Sequence, residues 1–408
     1  MNHTEQDLVT EDSPRDHYKA LVKRSPFYEK QVALSNTNKW HRWKAYTVAD
    51  EIECMEQEYF AVRNSCGVFD VTPMSKYRIG GPDAEAFMNR LVTRDVRKIK
   101  PGRVGYTVWC NDQGKVIDDG TIFHLEQGVY LLCAQERQYD WLMLSALGFD
   151  VEISEETNNI ACLAVQGPTS CATLKAMGLA GIEGMKPFGL THFDFGGAKL
   201  MVSRTGFTGD LGYELWIDFD SAEALWDALF EAGKDRGIRA IGGDALELAR
   251  IEAGFILGGV DFVPANQCVR LHHDRSPFEL DLGWLVDFSK ESFTGRTALL
   301  REKQEGSRYR LVKLNIEGNK PAHNAYVMNG KGGKTIGAVS SAAWSPVAKA
   351  NVALASLDLT KRINDNNIWV EIFYQKELKW HRKWARAEIV KDPFWNPERK
   401  RVTPPADV

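Results

Sequence analysis

The chain has 408 residues, of which 44% are hydrophobic and 26% are charged. At about 150 residues per domain this length suggests two to three domains, and the composition is typical of a soluble globular protein. Disordered, collagen and coiled-coil classes are therefore excluded as its main character. With 51 Lys and Arg against 55 Asp and Glu the net charge is −4, so we expect neither nucleic acid nor a membrane as a main partner.

The N-terminal sequence, the apolar runs and the cysteines indicate in which cellular compartment the protein works. No apolar run approaches the ~20 residues of a transmembrane helix, and the acidic N-terminus lacks the apolar core of a secretory signal. We therefore predict a polar tail over residues 1–24 and a cytoplasmic protein. The seven cysteines are scattered and form no Cys-x-x-Cys motif, which favours reduced thiols over a zinc or iron–sulfur site.

The first half of the chain predicts a helix followed by strands. Apolar spacing predicts a helix over residues 59–65, and Asp83 is placed to cap a later helix. Short apolar runs separated by turn residues predict the strands. These lie at 68–71, 76–79, 104–110, 116–125 and 128–133, and the last three form an antiparallel meander.

A second block mixes strands and helices. A strand over 160–165 precedes a helix opened by residues 166–169, and strands over 199–204 and 212–218 flank a Gly-rich stretch. Ser221 is placed to cap the next helix, and a further helix covers 245–253.

The last hundred residues predict strands at 309–316, 335–341, 351–357 and 369–374, with a hairpin turn at 330–333. The charged residues 301–307 lack apolar periodicity and are the best linker candidate. The predicted class is therefore α+β with an all-β C-terminal domain.

Common functional motifs are missing. There is no G-x-G-x-x-G after a strand, no P-loop, no G-x-S-x-G and no H-E-x-x-H. Residues 271–274, Leu-His-His-Asp, favour a surface loop over a metal site because adjacent strand residues point to opposite faces. We predict no metal. A basic cluster within residues 94–103 is a solvated face or a docking site for an acidic partner or a polyglutamate tail.

Two adjacent carboxylates, Asp118 and Asp119, lie on the predicted strand 116–125. Neighbouring strand residues face opposite sides, so only one of the two can face a pocket. Periodicity alone favours a solvent-facing acidic pair. The functional alternative is a carboxylate that an apolar pocket adapts for proton transfer.

The Gly-rich stretch at 204–216 allows a sharp, closely approached backbone. The strand that follows places Glu214 and Trp216 on one face. A carboxylate beside an aromatic ring suits a flat heterocycle, because two adjacent N–H donors can meet the two carboxylate oxygens. The alternative is a hairpin with an exposed glutamate.

Taken in order, these and other stretches resemble the aminomethyltransferase family, whose best-known member is the glycine cleavage system T-protein. Each stretch alone is weak, but the ordered combination is specific, and it extends from about residue 25 to residue 395. The matching stretches lie at residues 25–28, 61–71, 110–119, 166–168, 204–214, 250–254, 276–280, 295–299 and 345–346.

The resemblance implies a three-domain cloverleaf of the α+β class that binds tetrahydrofolate in a central hole. Residues 25–300 would form two interleaved folate-binding domains, about 25–74 with 157–260 and 75–156 with 261–300. Residues 308–408 would form a C-terminal β-barrel-like domain.

The resemblance also implies roles for single residues. Asp119 would be the catalytic carboxylate that polarises the reacting folate nitrogen, and Glu214 would grip the pterin. The other expected cofactor-binding positions are Met74, Tyr106, Tyr130, Leu132, Phe207 and Trp395.

The chain departs from the T-protein pattern near the expected entry of donor or folate. An arginine of that pattern is Leu246, a histidine is Pro73, an asparagine is Cys133, and the early Phe-Ala-Gly-Trp is replaced at residues 40–43. Deleting a guanidinium removes a fixed partner for an anion. We therefore predict a tetrahydrofolate-dependent methyltransferase, a demethylase, that uses a small-molecule methyl donor.

Two alternatives remain open. One is an aminomethyltransferase of the glycine cleavage system, whose partner would be a lipoyl carrier protein. The other is a non-catalytic folate-binding regulatory protein. The retained Asp118-Asp119 pair favours an enzyme over the latter.

Overall fold

The computed structural model describes residues 22–270, 272–402 and 404, so the first 21 residues of the predicted polar tail lie outside it. Helices and strands are mixed over residues 28–305, and six strands follow over residues 309–390. The elements up to residue 155 are α1 (Tyr28–Leu34), β1 (Lys39–Trp43), β2 (Tyr46–Glu51), α2 (Met55–Asn64), β3 (Cys66–Asp70), β4 (Ser75–Gly80), α3 (Ala84–Leu91), β5 (Arg103–Cys110), β6 (Val116–Glu126), β7 (Val129–Ala134), α4 (Tyr139–Ser145) and β8 (Glu152–Glu155).

The middle of the chain adds further strands and four helices. These elements are β9 (Ile160–Gln166), α5 (Ser170–Ala176), β10 (Leu190–Phe195), β11 (Ala198–Ser203), β12 (Gly212–Asp218), α6 (Ala222–Gly233), β13 (Ile238–Ala240), α7 (Gly243–Ala253) and α8 (Arg296–Glu305). The remaining strands are β14 (Tyr309–Ile316), β15 (Tyr326–Asn329), β16 (Lys334–Ser345), β17 (Ala350–Asp358), β18 (Ile368–Lys376) and β19 (Lys379–Val390).

Most predicted elements are present, and three local predictions are wrong. The Asp83 side chain makes no cap to α3, because it accepts from the Asp150 backbone N–H at 2.9 Å. Ser221 makes no side-chain cap to α6; its own N–H donates to Asp218. The predicted linker is helical as far as residue 305, since Leu299 is fully buried and anchors α8.

The strands form two large open sheets, one closed barrel and a separate two-stranded sheet of β1 and β2. The first sheet has six strands in the order β10-β11-β12-β9-β3-β13, and β13 is parallel to β3. The second sheet has five antiparallel strands in the order β5-β6-β7-β4-β8. The barrel has the order β14-β17-β16-β15-β18-β19 and is closed by the pairing of β14 with β19. This agrees with the predicted α+β class and all-β C-terminal part.

The two open sheets face each other across a shared apolar cluster, the junction cluster. Phe123 of the five-stranded sheet meets the ring of Trp216 of the six-stranded sheet edge-on, with centroids 4.9 Å apart. Because β3 belongs to one sheet and β4 to the other, the short connection between them crosses this junction. The buried members of the cluster are Val104, Phe123, Leu131, Cys133, Cys162, Met201 and Trp216.

Buried charges join the sheets to the barrel. The Arg63 guanidinium donates to Glu252 Oε2 from Nη2 at 2.6 Å, and Ser345 of the barrel also binds Glu252. Asp210 accepts from the Arg399 guanidinium at 2.6 and 2.8 Å. Each carboxylate therefore has an arginine partner, as buried charges require. None of the helices in the described part of the chain is long and apolar enough to cross a membrane.

Candidate active site

The two adjacent aspartates lie on opposite faces of the five-stranded sheet. Asp118 pairs with Trp109 of β5 and shares its buried face, whereas Asp119 pairs with Val108. Tyr106, two residues before Val108, is on the Asp119 face, and its hydroxyl donates to Asp119 Oδ2 at 2.8 Å. The alternation of strand residues thus selects Asp119 as the carboxylate that can face a ligand.

Burial changes the proton affinity of this group of side chains. It raises the pKa of Asp119 above its ordinary value, while the hydrogen bond from Tyr106 opposes that rise. The pKa of Asp118 is also raised, first by burial and then by the charge of Asp119. Burial and the Asp119 charge raise the pKa of Tyr106 well above 10, so its hydroxyl remains a donor at neutral pH.

The second carboxylate, Glu214, lies on the six-stranded sheet. It shares one face of β12 with Trp216, as the sequence predicts, and Thr205 Oγ1 and Ser203 Oγ both donate to its Oε2, at 2.5 and 3.3 Å. Within the described ranges no hydrogen bond reaches Oε1. Burial raises the pKa of Glu214, and the two hydroxyl donors oppose the rise.

Both carboxylates lie on the strand faces that meet at the junction, Asp119 on the face of Phe123 and Glu214 on that of Trp216. Asp119, Tyr106 and Glu214 each keep some accessible surface, yet burial is the largest influence on the pKa of all three. Such groups lie deep in the protein but remain open to a ligand. Met74 packs against the junction cluster, so this predicted residue also lies at the junction.

Of two further predicted residues, Phe207 belongs to the Gly-rich stretch and Trp395 contacts it. The ring of Phe207 stacks on Phe255, with centroids 5.7 Å apart. Trp395 donates from Nε1 to Asp210 at 2.8 Å, and its ring lies 4.9 Å from the Arg63 guanidinium. Trp395 is therefore part of the charged network that joins the sheets to the barrel.

The structure does not bring Tyr130 and Leu132 to the face of Asp119. Both have no accessible surface and belong to the apolar core that contains Trp109, on the opposite side of the sheet. Their neighbours Leu131 and Cys133 belong to the junction cluster instead. A shift of one residue along a strand reverses the face, so the inner positions on β7 are the odd-numbered ones.

Two lysines at the junction escaped the sequence analysis. Lys76 has no accessible surface. It lies on β4 opposite Cys133 of β7, and Cys133 lies opposite Thr121 of β6, which pairs in turn with Tyr106 of β5. Lys44, in the turn between β1 and β2, donates to Ser75 Oγ at 2.8 Å. Burial lowers the pKa of both amines, that of Lys44 to about 8. The only sequence signal for Lys76 was its inward position on the predicted strand 76–79.

The histidines of the predicted surface loop and the seven cysteines are among the described residues. Among residues 22–270, 272–402 and 404, no group of three or more His, Cys, Asp or Glu side chains could hold a metal ion. His272 and Asp274 lie in that described range, and Leu271 lies outside it. All seven cysteines are free thiols.

Comparison with known proteins assigns the chain to a family. The model of the GCVT N-terminal domain matches residues 27–290, and that of the glycine cleavage T-protein C-terminal barrel domain matches residues 310–396. The chain belongs to the glycine cleavage T-protein family. This membership confirms the predicted enzyme class, a one-carbon transferase with tetrahydrofolate as its acceptor.

Curated relatives and a solved structure agree with this assignment. The chain is 32% identical to an aminomethyltransferase of Halothermothrix orenii, over 91% of this chain and 100% of that protein. It is equally 32% identical to one of Bacillus subtilis, over 92% and 99%. The glycine cleavage system aminomethyltransferase T of Bartonella henselae, 23% identical, has the same fold, with a TM-score of 0.80 over 92% of this chain and 98% of that one.

The departures from the T-protein pattern lie near one another. Leu246 and Trp43 pack against the same apolar cluster as Val71. Lys44, next to Trp43, donates to the carbonyl oxygen of Pro73 at 3.1 Å. Leu246, Trp43 and Pro73 therefore gather around the connection that precedes β4.

Proposed function

We propose that this chain is an aminomethyltransferase that moves a one-carbon unit from an aminomethyl-loaded lipoyl carrier protein to tetrahydrofolate. The observation that carries the proposal is that Asp119 and Glu214 share the strand faces of Phe123 and Trp216, whose rings meet at the junction of two sheets. Relatives named aminomethyltransferase, which match over nearly their whole length, favour this donor over the small methylated donor expected from the sequence.

Glu214 is proposed to orient the pterin. Its Oε2 is occupied by Thr205 and Ser203, so Oε1 is free to accept an N–H of a flat heterocycle. Trp216 fixes this arrangement, because its Nε1 donates to Ser203 Oγ at 3.2 Å. A buried carboxylate with one committed oxygen fits the folate ring well.

Asp119 is proposed to be the catalytic residue. Tetrahydrofolate supplies the nucleophilic ring nitrogen when bound. Asp119, whose pKa is raised by burial, can hold or accept a proton near that nitrogen at a pH close to neutral. Tyr106 keeps the carboxylate in place by donating to Oδ2, and the enclosing sheets exclude water.

The remaining predicted contacts have unequal support. Tyr106, Met74 and Phe207 are proposed as cofactor-binding residues. Tyr106 binds Asp119, Met74 packs against the junction cluster, and Phe207 belongs to the Gly-rich stretch. Trp395 is proposed to support that stretch through Asp210. Leu131 and Cys133 replace Tyr130 and Leu132 as proposed lining residues, because they have the inward register on β7.

A second candidate is the demethylase reaction with a small methylated donor. The observation that favours it is the apolar surrounding of Leu246, the residue that replaces the arginine of the T-protein pattern, because Trp43 and Val71 pack against the same cluster. A compact donor without a carrier would suit such a surface.

Mass spectrometry of the folate product decides between the candidates. The protein would be incubated with tetrahydrofolate and either an aminomethyl-loaded lipoyl carrier or a panel of methylated small molecules. We expect 5,10-methylenetetrahydrofolate, formed only with the carrier. Formation of 5-methyltetrahydrofolate from one small donor would overturn the main proposal in favour of the second candidate, and folate binding without product would contradict both.

A further inference from the structure

The connection between β3 and β4, residues 71–74, is held by two lysines. Lys76 Nζ donates to the carbonyl oxygens of Thr72 at 2.7 Å and Met74 at 2.9 Å. Lys44 Nζ donates to the carbonyl oxygen of Pro73 between them. Three successive carbonyls are therefore bound by ammonium groups that come from two different parts of the chain.

Among the described residues, the hydrogen bonds of Lys44 and Lys76 go to carbonyl and hydroxyl oxygens. In the part of the chain that the structure describes, no carboxylate lies within 4.0 Å of Lys44 Nζ or Lys76 Nζ. Lys76 is fully buried, with its Nζ 5.9 Å from the centroid of the Trp216 ring. Burying an ammonium without a counter-ion is costly, and the carbonyls offset part of that cost. An apolar side chain of similar length would fill the same space more cheaply but could not bind the connection.

The position of this connection matters for the proposed folate site. It joins the sheet that carries Glu214 to the sheet that carries Asp119, and Met74 at its end packs against the junction cluster. Lys44 reaches it from the β1–β2 turn, outside both sheets. Releasing the Pro73 carbonyl would let the segment before β4 move and would displace Met74.

We propose that Lys44 and Lys76 are positioning residues for the folate site, which act by holding the Thr72–Met74 backbone so that Met74 keeps its place at the sheet junction. The proposal rests on the proposed function, because the position of Met74 affects binding only if folate occupies that junction. Neither lysine takes part in proton transfer in this proposal.

The first test compares variants of Lys44, which is partly accessible and lies outside the apolar core. Lys44→Met should raise the KM for tetrahydrofolate about tenfold, because two hydrogen bonds are lost, with kcat changed less than about twofold. Lys44→Arg keeps the donors and should restore the KM to within about threefold of the parent value. Lys30→Met, which removes only an exposed ion pair with Asp227, is the matched control and should change neither constant.

A double-mutant cycle tests whether Lys44 acts through Met74. In a Met74→Ala background the Lys44→Met substitution should no longer weaken tetrahydrofolate binding, measured by quenching of tryptophan fluorescence. Additive effects, or an unchanged KM in Lys44→Met alone, would overturn the proposal.

Failure of the proposed function gives a different result. If the parent protein does not bind tetrahydrofolate, the proposed function fails. If it binds folate normally and Lys44→Met behaves like Lys30→Met, only the positioning role fails. Lys76→Met should show the same rise in KM with a preserved kcat. Because Lys76 is buried, the folded fraction of this variant is measured first by circular dichroism. If the variant does not fold, the Lys44 series decides the proposal.

Discussion

Two of the buried polar clusters treat their carboxylates in opposite ways. Where the sheets meet the barrel, Glu252 is paired with Arg63 and Asp210 with Arg399. Where the two sheets meet each other, Asp119 and Glu214 receive hydrogen bonds from hydroxyl groups, and burial raises the pKa of both. Paired charges hold the structure together, whereas a buried carboxylate without a cation is available to a ligand and to a proton.

The largest effect is expected at the carboxylate assigned to catalysis. Asp119→Asn keeps the shape of the side chain but removes its ability to accept a proton, so turnover should fall about 10²–10⁴-fold. Tetrahydrofolate affinity should stay within a few-fold of the parent value. Single-turnover rates and equilibrium binding measure the two quantities, and full activity in this variant would remove Asp119 from the mechanism.

Substitution in the cluster of paired charges should lower the stability of the protein. Arg63→Met leaves the buried Glu252 without its cation, which should lower the free energy of unfolding by about 3–5 kcal/mol. Urea denaturation measures the loss. Arg24→Met, which breaks an exposed pair with Glu29, is the control and should leave the urea midpoint unchanged. Equal midpoints for the two variants would contradict a structural role for the Arg63 pair.

Removing the charge of Glu214 should mainly affect binding. In Glu214→Gln the hydrogen bond from the pterin to a charged oxygen is lost, which should weaken tetrahydrofolate binding about 10–100-fold. The exposed Glu223→Gln on α6 serves as a control. Titration calorimetry gives the affinities, and an unchanged value for the Glu214 variant would exclude it from the pterin site.

The smallest predicted effect is a shift in pH dependence. The Tyr106 hydroxyl stabilises ionised Asp119 and so lowers its pKa against the effect of burial. Tyr106→Phe removes this bond, so the pKa of Asp119 should rise, by about half to one unit for a bond of ~1 kcal/mol. Activity that needs the ionised carboxylate is lost as the pH falls through this pKa. The acid limb of kcat/KM should therefore move to higher pH, and a shift to lower pH would reject the proposed interaction.

The sequence predicts the site best where a functional residue type lies on a strand, because alternation then tells which face the side chain occupies. Alternation alone limited the Asp118-Asp119 pair to one inward carboxylate, and it placed Glu214 with Trp216. The family resemblance then chose Asp119. The same alternation was not applied to β7, where the inward residues are Leu131 and Cys133 rather than Tyr130 and Leu132.

Interactions between distant parts of the chain were not predictable in this way. Lys44 binds the backbone of Pro73, and carbonyl oxygens leave no signal in residue types. The arginine partners of Glu252 and Asp210 lie 189 residues away in both cases. The charged residues 301–307 lack apolar periodicity and so predict a linker, but the buried Leu299, just before them, anchors a helix that continues to Glu305.

The segment after the barrel is translated last, yet it supplies contacts to the Gly-rich stretch. Arg204 Nη2 donates to the carbonyl oxygen of Val402, and the Asp210 carboxylate accepts hydrogen bonds from the side chains of Trp395 and Arg399. A ribosome makes these partners only after all six barrel strands have been translated. Nearly two hundred further residues are therefore translated before Arg204 and Asp210 can form these contacts. The Gly-rich stretch that precedes Glu214 gains them late in biosynthesis.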